Sequence, residues 1–399
     1  MPEPVGRVEE DDDVVVVTER RDAASDTELA ARLAPLREAM RRHVADGSVA
    51  GLVTLVDDGS GHPVIDRYGA DGSAGADPMG RRSTVPIGAL STAWTATAVL
   101  LLVEDGAVEL HDPIDELLPE LSGRQVLRTI GSPLHDTVPA NRRITLLDLL
   151  TSRSGFGVGA ASTATTPVHR AVSSLGLDVL APDARLAPLA LDEWLQRLAT
   201  LPLLHQPGER RLGRTDAMLL GALIERLTGK SLPAVLRERV LDPLHLHDTD
   251  FAAPERADCG ADTTRRLVDG AAGLHSSVHD VWTFASMLVD AGRTGGGTRL
   301  LAPSTVRSML SDRGGAAADG NDAAMSDERG WGLGISTPPD GAMAVRVSDG
   351  FGLDGTGSCW RSSATTGATA VMLTLPGTSR PAAARLAATF WNGVDRASI

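Results

Sequence analysis

Two side chains that enzymes rely on for proton transfer are almost missing from this chain. Among 399 residues there is one lysine, Lys230, in ERLTGKSL, and one tyrosine, Tyr68, in VIDRYGADG. Chemistry that needs an amine or a phenol must bring one of these two to the site. Aromatics are also scarce, with 5 Phe, 6 Trp and 1 Tyr, so the core must rest on Leu, Val and Ala. Two cysteines, Cys259 and Cys359, leave a disulfide open but make no framework, and they fit a reducing compartment. No serine sits in a G-x-S-x-G elbow, which removes an α/β-hydrolase triad. No apolar run approaches the roughly 20 residues of a bilayer-spanning helix; VLLLVE around Leu101 is far too short.

Charge is lopsided. The formal net charge is −14. Residues 1–26 hold nine acidic and three basic groups, which leaves −8 for the remainder. Without clustered Arg or Lys to meet phosphates, nucleic acid is excluded as a partner. The N-terminus, MPEPVGRVEEDDDVVVVTERRD, has no basic start, and its apolar run is four valines behind a block of acids, so it is not a signal peptide. Residues 1–26 are expected to form a disordered acidic tail. These features predict a cytoplasmic protein with no membrane contact.

Hydrophobic content of 42% and charged content of 23% suit one globular unit, and the length allows two subdomains. Asp26–His43 carries Leu29, Leu33, Leu36 and Met40 on one stripe, with Asp26 as N-cap and Pro35 as a kink or break. Val49–Val56 and Pro63–Tyr68 read as a hairpin around DDGSGH. Ser91–Glu104 is nearly all apolar or small and reads as a buried helix. Further helices are expected at Val278–Leu288, Ser304–Leu310 and Ala382–Trp391. Short strands are expected near Gly332–Ser336, Ala344–Val347 and Ala368–Leu375. Phe156–Asp192 is a long Ala-, Thr- and Pro-rich connection, either a lid or a plain surface insertion. The order implies an α+β fold, an antiparallel sheet flanked by helices with an inserted, mostly helical subdomain. The α/β part spans about 27–90 and 270–399, and the helical part about 91–269.

Several motifs dissolve on inspection. GKS at Gly229–Ser231 lacks the upstream glycine of a P-loop, because Ile224 stands there; Gly229 is better read as a helix C-cap. His275 and His279 are four apart, as ligands on a helix would be, but no third ligand suggests itself, so no metal or other cofactor is expected. His245 and His247 fall in a helix exit and read as solvated. Cys359 as a nucleophile is outweighed by a packed thiol on a strand.

PIGALSTAWTATAVLLLVEDGAVELHDPIDELLP, Pro86–Pro119, resembles the nucleophile-bearing segment of the serine β-lactamase and penicillin-binding-protein-like family, near its class C β-lactamase and family VIII carboxylesterase branch. That segment reads roughly I-x-S-x-T-K, followed by L-V-E-x-G-x-L-x-L-D-D-P. Ala89 stands at the serine position and Thr92 at the lysine position. A second motif, P-G-E-R-W-x-Y-S-N, is matched by Pro207–Thr215, with Gly213 at the tyrosine position and Arg214 after it. A third, K-T-G or H-x-G on a strand, is matched by Leu353-Asp354-Gly355. RRITLLDLLTSRSGFG (142–157) is similar to I-T-x-x-x-L-L-T-H-T-S-G, with Ser152 in place of the histidine. Leu219–Phe251, Gly273–Arg293, Arg329–Ile335 and Gly355–Pro376 follow the family's order as well.

The resemblance implies the same α+β fold and a cleft whose catalytic positions, Ala89, Thr92, Gly213 and Leu353, are vacant. It implies an oxyanion hole from the backbone amides of Ala89 and Thr356, which survive side-chain replacement. Ala89, Ser91, Arg214, Thr215, Asp354 and Thr356 are the candidate ligand-binding residues. Asp354, Arg214 and His275 are candidate replacement groups, although an ion pair or solvated charges is an equal reading for Arg214 and Asp354. Ser91 reads better as a helix-terminus hydroxyl than as a nucleophile. Three functions stay open. One is a non-hydrolytic pseudoenzyme binding a small acyl or carboxylate ligand, or a protein partner. Another is a repurposed enzyme of specialised metabolism, with the oxyanion hole holding an enolate during cyclisation, elimination or isomerisation. The last is a weak esterase-type hydrolase.

Overall fold

The computed structural model describes residues 8–9, 16–17, 25–69, 82–157, 166–177, 189–251, 267–313, 329–338 and 346–399. Within the N-terminal 26 residues, Val8–Glu9 pairs antiparallel with Val16–Val17, so these four residues depart from the expected featureless tail. The amphipathic stripe that follows forms two helices, α1 (Ser25–Arg32) and α2 (Ala34–Ala45). Pro35 lies in the first turn of α2, where its missing N–H costs nothing, and the chain breaks at Leu33 just ahead of it. Helix α1 begins at Ser25, so Asp26 lies inside it rather than capping it.

The hairpin follows as β1 (Gly51–Asp57) and β2 (Val64–Gly69), then a short β3 (Val85–Pro86) and the buried α3 (Ser91–Glu104). The helical part carries a small hairpin, β4 (Gln125–Leu127) with β5 (Thr137–Pro139). Its helices are α4 (Leu146–Leu150), α5 (Pro167–Ser174), α6 (Leu191–Ala199), α7 (Thr215–Thr228) and α8 (Leu232–Leu236). Gly229 ends α7 at φ +71°, the left-handed cap expected of it. Strands β6 (Asp250–Phe251) and β7 (Leu274–Ser276) join β3 in a three-stranded sheet. After α9 (Val278–Val289) and α10 (Pro303–Met309) come β8 (Gly330–Trp331), β9 (Ser336–Thr337), β10 (Phe351–Asp354), β11 (Cys359–Ser362) and β12 (Thr369–Thr374). The chain closes with α11 (Arg380–Arg396).

Seven strands form one antiparallel sheet in the order β8-β9-β10-β11-β12-β1-β2. Alternation along each strand divides its side chains between two cores. Val53, Leu55, Leu353, Trp360, Val371 and Leu373 pack in the core that contains α3 and α9. Leu52, Val56, Tyr68, Cys359, Ala370 and Met372 pack in the other, with α1, α2 and α11. This is the α+β sandwich expected from the order of elements. Strands β10 and β11 are not marked by periodicity, and Gly330–Trp331 and Ser336–Thr337 replace one expected strand over 332–336. Val347 opens a 3-10 turn instead of ending a strand, and residues 344–345 lie outside the described set. The long connection after Phe156 contains α5, capped by Thr166 Oγ1 on the His169 amide; residues 158–165 and 178–188 of the lid expectation lie outside the described set, as does Cys259. Among the described residues no helix is long and apolar enough to cross a membrane.

Tyr68 is fully buried in the second core. Burial, with Asp66 beside it, pushes its phenol well above the usual value near 10. Its neutral form is the one the fold accommodates, so stability is lost as pH rises from about 10 toward the folded value. With no other tyrosine in the chain, the 295-nm absorbance reports this phenol alone. It is expected to stay silent while circular dichroism remains native and to appear only on alkaline unfolding; a reversible titration near pH 10 in the folded protein would contradict the packing.

Candidate active site

Helix α3 is anchored at its start. Ile87 N–H donates to Leu274 O at 2.9 Å, and Leu274 N–H donates to Ser91 Oγ at 3.2 Å. Thr95 Oγ1 donates to Gly270 O at 2.7 Å and Thr92 Oγ1 to Ala271 O at 3.4 Å. The head of α3 is thus bolted to 270–274. Ser91 is fully buried in this work, so it is a structural hydroxyl and does not face a ligand. The 3-10 turn Gly88–Leu90 precedes α3, and at its middle the Ala89 methyl is exposed.

The end of β10 reaches the same spot. A Cβ placed on Gly355 would lie 3.5 Å from Ala89 N. Gly355 N–H donates to Ser358 O at 2.7 Å, closing a turn that leaves Thr356 exposed. Among the described residues neither Ala89 N–H nor Thr356 N–H has a backbone acceptor. The turn that carries Thr356 thus lies beside the Ala89 amide and its bare methyl group. Leu353, at the third motif, turns toward the α3 core and is buried.

Asp354 does not belong to this frame. It is cross-strand to Cys359, and the Leu353 and Trp360 side chains occupy the α3 face. Alternation sends Asp354 to the opposite face, where it pairs with Arg361, whose guanidinium lies 4.6 Å over the Trp391 ring of α11. It is therefore neither a replacement group nor a ligand contact for the cleft. Cys359, on that far side too, is fully buried, and burial holds its thiol well above the usual range; it is a packed thiol.

Arg214 caps α7 with a strained backbone, φ +35° and ψ −50°, between Gly213 and Thr215. Its guanidinium forms an ion pair with Asp269. Asp269 Oδ1 accepts the amides of Ala271 and Ala272 at 3.0 and 3.1 Å. Those residues belong to the loop that receives Thr92, so positions 92 and 213–215 meet around residues 269–272. His275 sits in mid-β7, cross-strand from Pro86 and Asp250, while His279 is exposed on α9. The four-residue spacing therefore does not lie on one helix, and the two rings are not paired as ligands. Among the described residues no group of three or more His, Cys, Asp or Glu is placed to hold a metal.

The lone lysine and tyrosine stay away from the cleft. Lys230 follows the far end of α7 from Arg214, about 20 Å along the helix. It is half exposed and paired with Glu238. Tyr68 lies in the other core.

One feature escapes sequence reading. Asp216, the second residue of α7, is fully buried and accepts Ser154 N–H at 3.1 Å and the Ser154 hydroxyl. Burial pushes its carboxyl well above the usual range, against the pull of the Ser154 hydrogen bonds. Sixty-two residues separate the pair, and no local pattern marks it.

A family model described as Beta-lactamase matches residues 36–389. An uncharacterized protein of Mycobacterium tuberculosis is 32% identical over 298 residues, 69% of this chain and 71% of that protein. Esterase EstB of Burkholderia gladioli is 33% identical over 248 residues, 59% of this chain and 54% of the esterase. Among solved structures, EstCE1, a hydrolase with promiscuous acyltransferase activity, superposes with a TM-score of 0.69 at 20% identity, covering 92% of this chain and 100% of the other. Simvastatin synthase from Aspergillus terreus does so with a TM-score of 0.68 at 20% identity, covering 94% and 99%. At such identities the two structures bear on the fold alone.

Proposed function

The chain belongs to the β-lactamase family, and from that premise we propose that it is a non-acylating member, a pseudoenzyme that binds a small acyl- or carboxylate-containing ligand in the inherited cleft. One observation carries the reading: the residue at the head of α3, beside the Gly355–Thr356 turn, offers a methyl group where acyl transfer would begin. An alanine cannot attack a carbonyl, and neither Lys230 nor Tyr68 is placed to move a proton there. The amides of Ala89 and Thr356 remain as fixed donors for a carboxylate or carbonyl oxygen. A small-molecule ligand and a cytoplasmic setting go with this reading. A protein partner would be an alternative occupant of the cleft.

An esterase-type reading is favoured by the relationship to Esterase EstB. It needs a nucleophile outside the inherited position. The enolate reading loses Asp354 as a proton carrier, because that carboxylate faces the other core.

Ester turnover separates these. With p-nitrophenyl butyrate and with nitrocefin, the purified protein is expected to release product at the rate of buffer alone. Saturable turnover that co-elutes with the protein would overturn the proposal in favour of the esterase.

A further inference from the structure

Among the described residues, Arg214 is the charged side chain that the vacated motifs bring toward the first turn of α3. Its surroundings are built in layers. Loop 269–273 lies between α3 and α7: a Cβ on Gly270 would sit 3.3 Å from Thr95 Oγ1 and 3.0 Å from Ala217 O. Asp269, at the head of this loop, meets Arg214 through Oδ2 while its Oδ1 serves the Ala271 and Ala272 amides. The carboxylate therefore engages the guanidinium through Nη2 alone. Arg214 Nε, on the same edge of the fork, is enclosed and has no acceptor. A buried donor without an acceptor costs roughly 1–3 kcal/mol, and a non-glycine residue at positive φ adds strain of about the same size.

We propose that Arg214 is the anion-reading residue of the cleft, so that the ligand is a carboxylic acid and not a neutral ester or amide. This rests on the reading of the cleft as a non-acylating binding site. The acid's oxygens would take the Nε edge of Arg214, with Asp269 as the built-in competitor that holds the fork until the ligand arrives. A guanidinium in this role distinguishes acid from amide by charge and by the match of its planar fork to a carboxylate.

The test compares phenylacetate with phenylacetamide by isothermal titration calorimetry on the full chain at low salt. Phenylacetate is expected to bind at least tenfold more tightly. Arg214→Gln should abolish that preference, and Arg214→Lys should keep part of it. Asp269→Asn is the decisive variant. An asparagine oxygen still accepts the Ala271 and Ala272 amides, so the loop is kept, but the competing charge is gone; acid binding should tighten several-fold. A pair that merely clasps two helices together would be weakened by either variant. Equal affinity for acid and amide, or weaker acid binding in Asp269→Asn, would overturn the inference while leaving the amide frame as a binding site. If neither compound binds, the inference falls together with the binding reading.

Discussion

Trp94→Ala is expected to cost about 3–5 kcal/mol of folding stability, the usual range for deleting a buried tryptophan. Trp94 lies five residues beyond Ala89 on α3 and is fully buried. Its ring stacks on Phe284 of α9 with centroids 4.0 Å apart and meets Trp360 of β11 edge-on at 6.2 Å. Trp360 in turn meets Phe284 at 5.8 Å and Phe351 of β10 at 6.2 Å. In a chain with 12 aromatics, four are spent at this point, and they join the helix that follows Ala89 to the strand that ends beside it. Aromatic pairs contribute about 0.5–1.5 kcal/mol beyond their buried area. Trp94→Phe should be far milder, because a ring remains and the indole N–H, enclosed without a partner, is removed. Urea unfolding followed by circular dichroism measures both variants. A loss below about 1 kcal/mol for the alanine variant would mean that this cluster does not organise the sheet–helix joint.

The second large effect concerns pH. The Asp216 carboxyl is held protonated by burial to well above the usual carboxylate range. Unfolding releases it to an ordinary value near 3.9. Between that value and the raised folded value the native state binds the extra proton, so this group's contribution to stability falls as pH rises, by up to about 1.4 kcal/mol per pH unit. An asparagine side chain is isosteric with the neutral acid: its oxygen would accept Ser154 N–H and its amide would donate to Ser154 Oγ. Asp216→Asn should therefore equal the parent protein near pH 4 and exceed it increasingly toward neutrality. Asp216→Ala strands the Ser154 amide in the interior and leaves the Ser154 hydroxyl with only the Phe156 amide as a partner, and should lose about 1–3 kcal/mol. Stability curves from pH 4 to pH 8 decide; an asparagine variant that loses stability as pH rises, relative to the parent, would mean that the carboxylate is ionised in the fold.

How much of this is legible in the sequence follows from what each feature depends on. Helix α3 is legible with its observed limits, Ser91–Glu104, because an unbroken run of small and apolar residues has one burial solution. The hairpin of β1 and β2 is legible for the same reason, through apolar runs around a polar turn. Strands β10 and β11 are four residues each, FGLD and CWRS, too short for a period to emerge. Adjacency to a motif suggests Asp354 for the cleft, whereas one step along a strand reverses the face. The Arg214–Asp269 and Ser154–Asp216 pairs span 55 and 62 residues, and only the fold brings them together. The vacancy at Ala89 needs a resemblance to be noticed at all, since an alanine at the head of a helix carries no signal of its own.

Intact-mass spectrometry after incubation with a fluorophosphonate, a probe that captures nucleophilic serines regardless of substrate, addresses the vacancy most directly. An unshifted mass is expected for the full chain, and a one-to-one adduct only if a nucleophile is engineered at position 89 together with the groups that activate it. A stoichiometric adduct on the unaltered protein, mapped to any hydroxyl of the cleft, would contradict it.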